Sequence, residues 1–310
     1  MNSNPLLRQL AFGLLTILLH SNLGVADTIR VATYNVENYL DQAAGTRYAK
    51  SAAAKVKIRE SIRALKPDVL ALQEMGSTNA LLELHASLKA EGPDYPYWDH
   101  VSGWDTNIHV AVLSKFPFAT RHPHTDDVFL LSGRRFHVSR GFAEVDINVN
   151  PSYSFKLITA HLKSRRPIPE ADEAELRLQE ARVLREKIDA HLAANPNLNL
   201  VVLGDFNDVK DSKSTKAVIG TGRNKLVDTR PAERNGDNLP NPNPAWEPCN
   251  ITWTYYYGKE DTYSRIDYLL LSPGMAREWV TNETYVLALP NWAAGSDHRP
   301  LVATFETKDK

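Results

Sequence analysis

Residues 198–208 read LNLVVLGDFND. Leu200 to Leu203 form a short apolar run ended by Gly204, the pattern of a strand buried on both faces. Beyond the glycine, Asp205 and Asn207 are two residues apart. Side chains two apart on an extended chain leave the same side, so a carboxylate and an amide are aimed together at the point where the strand stops. A lone Asp-x-Asn is also the composition of an Asx-turn. What separates the two readings is whether other strands of the chain end in the same kind of residue.

Working outward from this run, short strand-like segments alternate with helical ones, which predicts an α/β fold. Residues 28–35 (TIRVATYN) alternate and then break. Val56, Ile58, Ile62 and Leu65 recur near the helical period until Pro67, which predicts a helix over 53–65. A buried strand is expected over 69–73 and a second helix over 80–89. Strands are expected over 108–114, 142–149 and 155–161, and the longest helix over 170–194, with Pro196 beyond its end. After 198–204, strands are predicted over 252–257, 266–271 and 301–305. The segment 229–250, with PNPNPAWEPCN, reads as a long surface loop. There is no solenoid-type repeat and no shift of composition that marks a boundary, so residues 27–310 are expected to form one domain.

Polar residues collect where these strands end. Asn35 follows VATY, Glu74 follows LALQ, His161 follows LITA, and Asp205 with Asn207 follow VVLG. Asp267 begins DYLLL, and Asp297-His298 precede PLVATF. Strand interiors take apolar side chains while strand ends of layered α/β folds open onto clefts, so this placement gathers carboxylates in one mouth. Oxygen donors without thiolates suit a hard cation, Mg²⁺ or Mn²⁺. Histidines beside carboxylates suit proton transfer near neutral pH. Together these are the parts of a metal-assisted hydrolase.

The rest of the sequence bounds the class. In MNSNPLLRQLAFGLLTILLHSNLGVA, one basic residue (Arg8) precedes an apolar core over 10–19 that is too short to span a bilayer. Gly24 and Ala26 place small residues before a cut after Ala26, so residues 1–26 are expected to be a signal peptide and the mature protein to be periplasmic or extracellular, without stable membrane insertion. The net charge of −1, from 36 basic and 37 acidic residues, excludes a basic coat for nucleic acid. With a single cysteine, Cys249, no intramolecular disulfide can form. No GxSxG occurs and Cys249 has no supporting context, which argues against serine or cysteine hydrolases.

The order YNVEN, LQE, AHLKSR, GDFND, RIDYLLLS and SDHRP, spread from residue 34 to 300, resembles the motif series of the endonuclease/exonuclease/phosphatase superfamily. That group includes deoxyribonuclease I, AP endonucleases, neutral sphingomyelinases and inositol-phosphate 5-phosphatases. The resemblance implies a four-layer α/β sandwich of two packed mixed β-sheets flanked by helices. It implies a phosphoesterase that hydrolyses phosphodiesters by in-line water attack with Mg²⁺ or Mn²⁺; with the signal peptide, a secreted nuclease on DNA or RNA is expected, the alternatives being a lipid or small-molecule phosphoesterase of the same fold and an inactive binding module. By the same resemblance, Asn35, Glu74 and Asp297 match metal-side positions. Asp205 and Asn207 match the pair that positions the attacking water and a phosphate oxygen, or a second metal; His298 matches the proton-transfer histidine, Asp267 the residue that orients it, and His161 the histidine that supports the phosphate or leaving group. Arg140 matches a phosphate-contacting arginine; read from the residues alone, Lys163, Arg165 and Arg166, with Arg134 and Arg135, are expected to form a cationic rim for a polyanion or a single phosphate. Trp253, Tyr255, Tyr256, Tyr257 and Trp292 are candidates for base stacking.

Two departures are visible. His161 stands where AP endonucleases carry a tyrosine-bearing loop, which argues against abasic-site repair. Deoxyribonuclease I pairs its matching histidine with a glutamate, and here that neighbourhood reads DTNIH, so Asp105 or Asn107 would have to substitute.

Overall fold

The computed structural model describes residues 28–233 and 253–310. The expected signal peptide, Cys249 and most of the Pro/Asn-rich loop lie outside the described residues. The first sheet has seven strands in the order β12-β16-β17-β1-β2-β4-β3. These are β1 (Thr28–Tyr39), β2 (Val69–Met75), β3 (Tyr97–Val101), β4 (His109–Ser114), β12 (Ala232–Glu233), β16 (Trp279–Val286) and β17 (Leu301–Glu306). The second has six in the order β11-β15-β10-β9-β8-β5: β5 (Phe118–His124), β8 (Phe142–Asn150), β9 (Tyr153–His161), β10 (Leu200–Asp205), β11 (Val227–Asp228) and β15 (Asp267–Leu271). Both sheets mix parallel and antiparallel pairs. Two small hairpins stand apart, β6 (Val128–Leu131) with β7 (Arg134–His137), and β13 (Tyr255–Tyr257) with β14 (Thr262–Ser264).

Four layers follow from strand parity, since alternate side chains must find different partners. On β1, Ile29 and Val31 pack with Val69 and Ala71 of β2, Val201 and Leu203 of β10 and Leu269 and Leu271 of β15, forming the core between the sheets. The intervening Ala32 and Tyr34 face outward onto helices α1 (Ala52–Leu65) and α2 (Thr78–Ala90). On β10, Leu200 and Val202 face the other way, onto α3 (Glu173–Ala194) and α4 (Lys213–Ile219). The order is thus helices, sheet, sheet, helices.

The helix starts are set by side-chain caps. Ser51, Ser77, Asp172 and Ser212 accept from the backbone N–H groups of Ala54, Ala80, Glu175 and Thr215, satisfying donors the helices leave open. For this reason α2 begins at Thr78 and α3 at Glu173, two residues before and three residues after the periodic pattern suggested. Strand β1 runs four residues beyond 35, and β3, β5, β6, β7 and β16 had no clear sequence signature. β5 is an edge strand, which accommodates Pro123 without loss of a ladder bond on its open side.

The inward-facing parity also delivers the polar residues. Val31, Thr33 and Asn35 lie on one face of β1; Val201, Leu203 and Asp205 on one face of β10; Leu157, Thr159 and His161 on one face of β9. β1 runs parallel to β2, and β9 runs parallel to β10, so their C-terminal ends share a side. β15 and β17 run antiparallel to these neighbours, so their N-terminal ends, Asp267 and the segment before Leu301, arrive at that same side. Between apolar core and polar mouth lies one buried bridge across the sheets: Thr33 Oγ1 donates to Gln73 Oε1 (3.1 Å) and Gln73 Nε2 donates to Thr159 Oγ1 (3.0 Å). A buried polar group without partners would cost about 1–3 kcal/mol; here each finds one on the facing element.

Candidate active site

Glu74 breaks the parity rule, and the backbone shows how it reaches the mouth. Gln73 pairs with Val110 and Met75 with His109, so two residues of β2 advance against one of β4, leaving Glu74 at a bulge with φ 60°. Its carboxylate accepts from Asn38 N (2.9 Å) and from Asn35 Nδ2 (3.4 Å). Asn38 and Glu37 are themselves in the left-handed region, which folds the end of β1 back over the mouth.

Gly204 makes the corresponding turn on β10. Its φ of 132° and its approach to the Ala160 carbonyl leave no room for a Cβ. Asp205 then points inward and is buried. Its Oδ2 lies 2.9 Å from Asn35 Nδ2, 3.4 Å from His161 Nε2 and 3.8 Å from His298 Nε2, and its Oδ1 accepts from Asn207 N at 2.8 Å. Asn207, at φ 54°, donates from Nδ2 to Leu162 O (3.0 Å) and Asp205 Oδ2 (3.3 Å).

His298 is held on the opposite side. Its Nδ1 is 2.9 Å from Asp267 Oδ2, and both are buried. Its backbone N–H donates to Ser296 Oγ (3.0 Å), which in turn donates to Asn35 O (2.7 Å), tying the SDHRP segment to β1. The Nδ1 contact with a carboxylate leaves Nε2 facing Asp205 and Asp297, the latter at 3.9 Å. Tyr255 packs its ring 4.7 Å from the imidazole.

The charges follow from this burial. Burial alone would push His298 down, but Asp267 and Asp205 outweigh it and hold its proton affinity well above the ordinary histidine value. His161 goes the other way: it is buried, and Arg140, His298 and Arg47 add to the penalty, so it stays neutral. Asp297 is pushed up to about 7 by burial, which His298 opposes and Glu37 and Glu74 reinforce. Asp205 is raised by burial and by the neighbouring Asp267, against the pull of His298. Raised carboxylates gathered with one cationic histidine form an acidic cluster that a cation would relieve. Among the described residues, Asp205, Asp267 and His298 are the group whose ligand atoms lie within 4.8 Å of one another.

Asn35, Glu74, His161, Asp205, Asn207, Asp267, Asp297 and His298 therefore converge, as their strand-end positions predicted. Asn35 turns its amide nitrogen to the carboxylates, while its Oδ1 accepts from Glu37 N (2.9 Å). Arg140 is brought alongside: it is buried and donates to Leu162 O (3.0 Å), next to His161. Asp105 lies 3.6 Å from Arg140, not in a hydrogen bond to a histidine, and His161 Nδ1 has no partner among the described residues. Lys163 is turned away; its ammonium is held by the carbonyls of Ser164 (3.1 Å) and Arg166 (2.9 Å). Arg165 reaches the rim, where Nε donates to Asn207 O (3.1 Å). Arg134 donates to Glu170 O and stacks over Phe136 on the β6–β7 hairpin.

Tyr255 and Tyr257, with Arg165, Arg166, Asn207 and Lys259, line a cleft of about 780 Å³ beside the cluster. Trp253 packs instead against Trp292, Tyr263 and the Arg299 guanidinium, a scaffold beneath the hairpin. Two supports carried no sequence signal as site residues. Arg177 of α3 is buried, binds Asp208 Oδ2 (3.0 Å) and donates to Lys163 O (3.2 Å), so the outer helix braces the GDFND turn. Glu180 accepts from Lys163 N (2.6 Å) and Ser139 N (2.8 Å), bracing the residues that flank His161 and Arg140.

The chain matches, over residues 32–298, the family model described as the endonuclease/exonuclease/phosphatase family. Among solved structures it is similar to the human Nocturnin catalytic domain with bound sulfate, at 18% identity and a TM-score of 0.62, covering 91% of this chain and 95% of that one. It is also similar to beta toxin from Staphylococcus aureus, at 17% identity and a TM-score of 0.61, covering 89% and 99%. A third is the 3′ phosphatase NExo from Neisseria bound to a product DNA hairpin, at 18% identity and a TM-score of 0.59, covering 90% and 99%. No curated protein matches the sequence. At these identities the structures attest the fold, and the family model supplies the assignment: the chain belongs to the endonuclease/exonuclease/phosphatase family.

Proposed function

We propose that the protein is an exported, divalent-metal-dependent phosphoesterase that hydrolyses phosphodiester bonds by in-line attack of water, with nucleic acid as its substrate. The observation that carries the reading is the buried constellation of Asp205, Asp267 and His298 next to Asn35, Glu74 and Asp297 in one mouth. The donor set fits Mg²⁺ or Mn²⁺: carboxylate and amide oxygens, no thiolate, and carboxyl groups raised by crowding. Held by Glu74 and Asp297, and by Asn35 once its amide turns Oδ1 from Glu37 N toward the carboxylates, such a cation would supply positive charge to the phosphate oxygens.

The chain's own groups account for the rest of the chemistry. Asp205 and Asn207 present one acceptor and one donor to a water and a phosphate oxygen. His298, oriented by Asp267, holds a proton on Nδ1 and offers Nε2 toward the reacting groups. Arg140 contributes cationic charge on the His161 side, where a phosphodiester gathers negative charge in the transition state. Asn207 and His161 fix the phosphate without forming a bond to it, so no covalent enzyme intermediate is needed.

A lipid or small-molecule phosphoesterase of the same fold is the second reading, favoured by the near-neutral total charge, which gives little long-range capture of a polyanion. A panel of plasmid DNA, RNA, sphingomyelin, phosphoinositides and nucleotides, with Glu74→Ala as blank, decides between them. Cleavage of DNA or RNA is expected; cleavage confined to lipid head groups would overturn the nuclease reading. Detection of the mature N-terminus at Asp27 in the medium or periplasm tests export.

A further inference from the structure

On the bank of the mouth away from the tyrosine hairpin, a line of residues leads outward from His161 through Arg140 to Asp105, Arg47 and Trp104, the last three without a part in the hydrolytic chemistry. Arg140 donates to Leu162 O, and its Nε, buried and without a hydrogen-bond partner among the described residues, lies 3.6 Å from Asp105 Oδ2. The same carboxylate oxygen is 3.7 Å from Arg47. Asp105 is fixed by its own loop, its Oδ1 accepting from Asn107 N (3.0 Å) and Ile108 N (3.3 Å), so one carboxylate stands between two guanidinium groups. Arg47 is presented by a tight turn: Ala44 N donates to Arg47 O (2.9 Å), Arg47 N donates to Ala44 O (3.0 Å), and Gly45 supplies φ 60°. Arg140 in turn reaches the carbonyl of Leu162, the residue after His161, which puts the pair on the side of the reacting centre.

Beside Asp105 stands Trp104. Its ring lies parallel to His137 at 3.9 Å and 7°, yet the residue is 65% exposed, so the indole is propped from one side and open on the other. The loop is pressed against Arg140, because a Cβ at Gly103 would overlap the Arg140 backbone. A supported, open aromatic face next to a cation is the pairing that single-stranded nucleic acid uses: the base stacks and the phosphate meets the guanidinium. An inositol head group has no planar ring to stack on the indole, and a choline ammonium would meet it by a cation–π contact rather than by stacking.

We infer that Arg47 and Trp104 form a nucleotide subsite, Arg47 taking the phosphate next to the scissile one and Trp104 stacking on the unpaired base, which makes single-stranded oligonucleotide the substrate class. The inference rests on the phosphoesterase reading and narrows it. Binding is measured without turnover, by fluorescence anisotropy of a labelled oligothymidylate about eight nucleotides long, in EDTA and over a series of salt concentrations. Trp104→Ala is expected to weaken binding by at least about fivefold, with Trp104→Phe keeping most of the affinity. Arg47→Gln is expected to reduce the slope of log affinity against log salt by about 0.7, the loss of one single-strand phosphate contact. Thermal melts on the same variants establish that they are folded. Wild-type affinities in both Trp104→Ala and Arg47→Gln, or no binding by the wild type at low salt, would overturn the subsite. Failure of the enzyme to cleave any phosphodiester would instead overturn the hydrolytic reading, and the binding arms would still decide this one.

Discussion

Replacing Asp267 with Asn keeps the shape of the side chain and removes its charge. Its backbone N–H, bound to Thr254 Oγ1 (3.2 Å), is untouched, so the start of β15 should stay in place. What changes is the 2.9 Å contact with His298 Nδ1, made between two buried groups. A hydrogen bond to a charged partner contributes about 1.5–3 kcal/mol. At 1.36 kcal/mol per factor of ten in rate, loss of that interaction from the transition state lowers kcat by roughly 10–150-fold. Removing the imidazole altogether, in His298→Ala, should cost on the order of 10²–10⁴. The assay is steady-state hydrolysis of bis(p-nitrophenyl) phosphate by the two single variants and the double variant. If Asp267 acts through His298, adding Asp267→Asn to His298→Ala changes little further. A double variant whose loss is the product of the two single losses would refute the coupling, and a wild-type kcat in Asp267→Asn would refute the orienting role.

Away from the mouth, Glu144 is nearly fully buried among Lys156 (2.8 Å), His124 (2.9 Å) and His191 (2.9 Å). Burial opposes its charge, but the hydrogen bonds of His124, His191 and Lys156 outweigh it and hold its pKa well below the ordinary 4.5. A lowered carboxylate stabilises the fold above its unfolded pKa and loses that contribution as pH falls below about 4.5. Glu144→Gln should therefore melt below wild type at pH 7, with the gap in Tm narrowing as pH falls below about 4.5. A gap that stays constant would contradict the ion-pair account. Gly204→Ala places a methyl against the Ala160 carbonyl at a positive φ, and should lower stability by more than the roughly 1 kcal/mol typical of point substitutions. An unchanged denaturation midpoint would show that β10 and β9 can separate there.

The individual strands were legible because buried strands leave a plain mark, apolar runs such as LVVL and LLL, whereas the four-layer order followed from the family resemblance and not from periodicity. The site was legible for the related reason that polar residues at the ends of such runs have few roles other than the mouth. Glu74 shows the limit of that reasoning. Its even position assigns it to the helix-facing side of β2, and only the bulge against His109, a backbone event without a residue signature, turns it inward. Edge strands such as β3 and β5 were illegible because one ladder is open and the side chains are mostly half-buried or exposed, so neither alternation nor apolarity is enforced. Lys163 was placed at the rim because it follows His161 in sequence, but β9 ends at His161, and in the loop beyond it the Lys163 ammonium turns to the carbonyls of Ser164 and Arg166. Arg177 and Glu180 look like the solvated charges of a helix, and nothing in a helical pattern tells that the strand-end loops will reach back to them.

The cation proposed to sit among Glu74, Asp297 and Asn35 is tested most directly by hydrolysis of bis(p-nitrophenyl) phosphate after exhaustive dialysis against EDTA. Activity should vanish, return on addition of Mg²⁺ or Mn²⁺, and fail to return in Glu74→Ala. Full activity of the wild type in the chelator would contradict it.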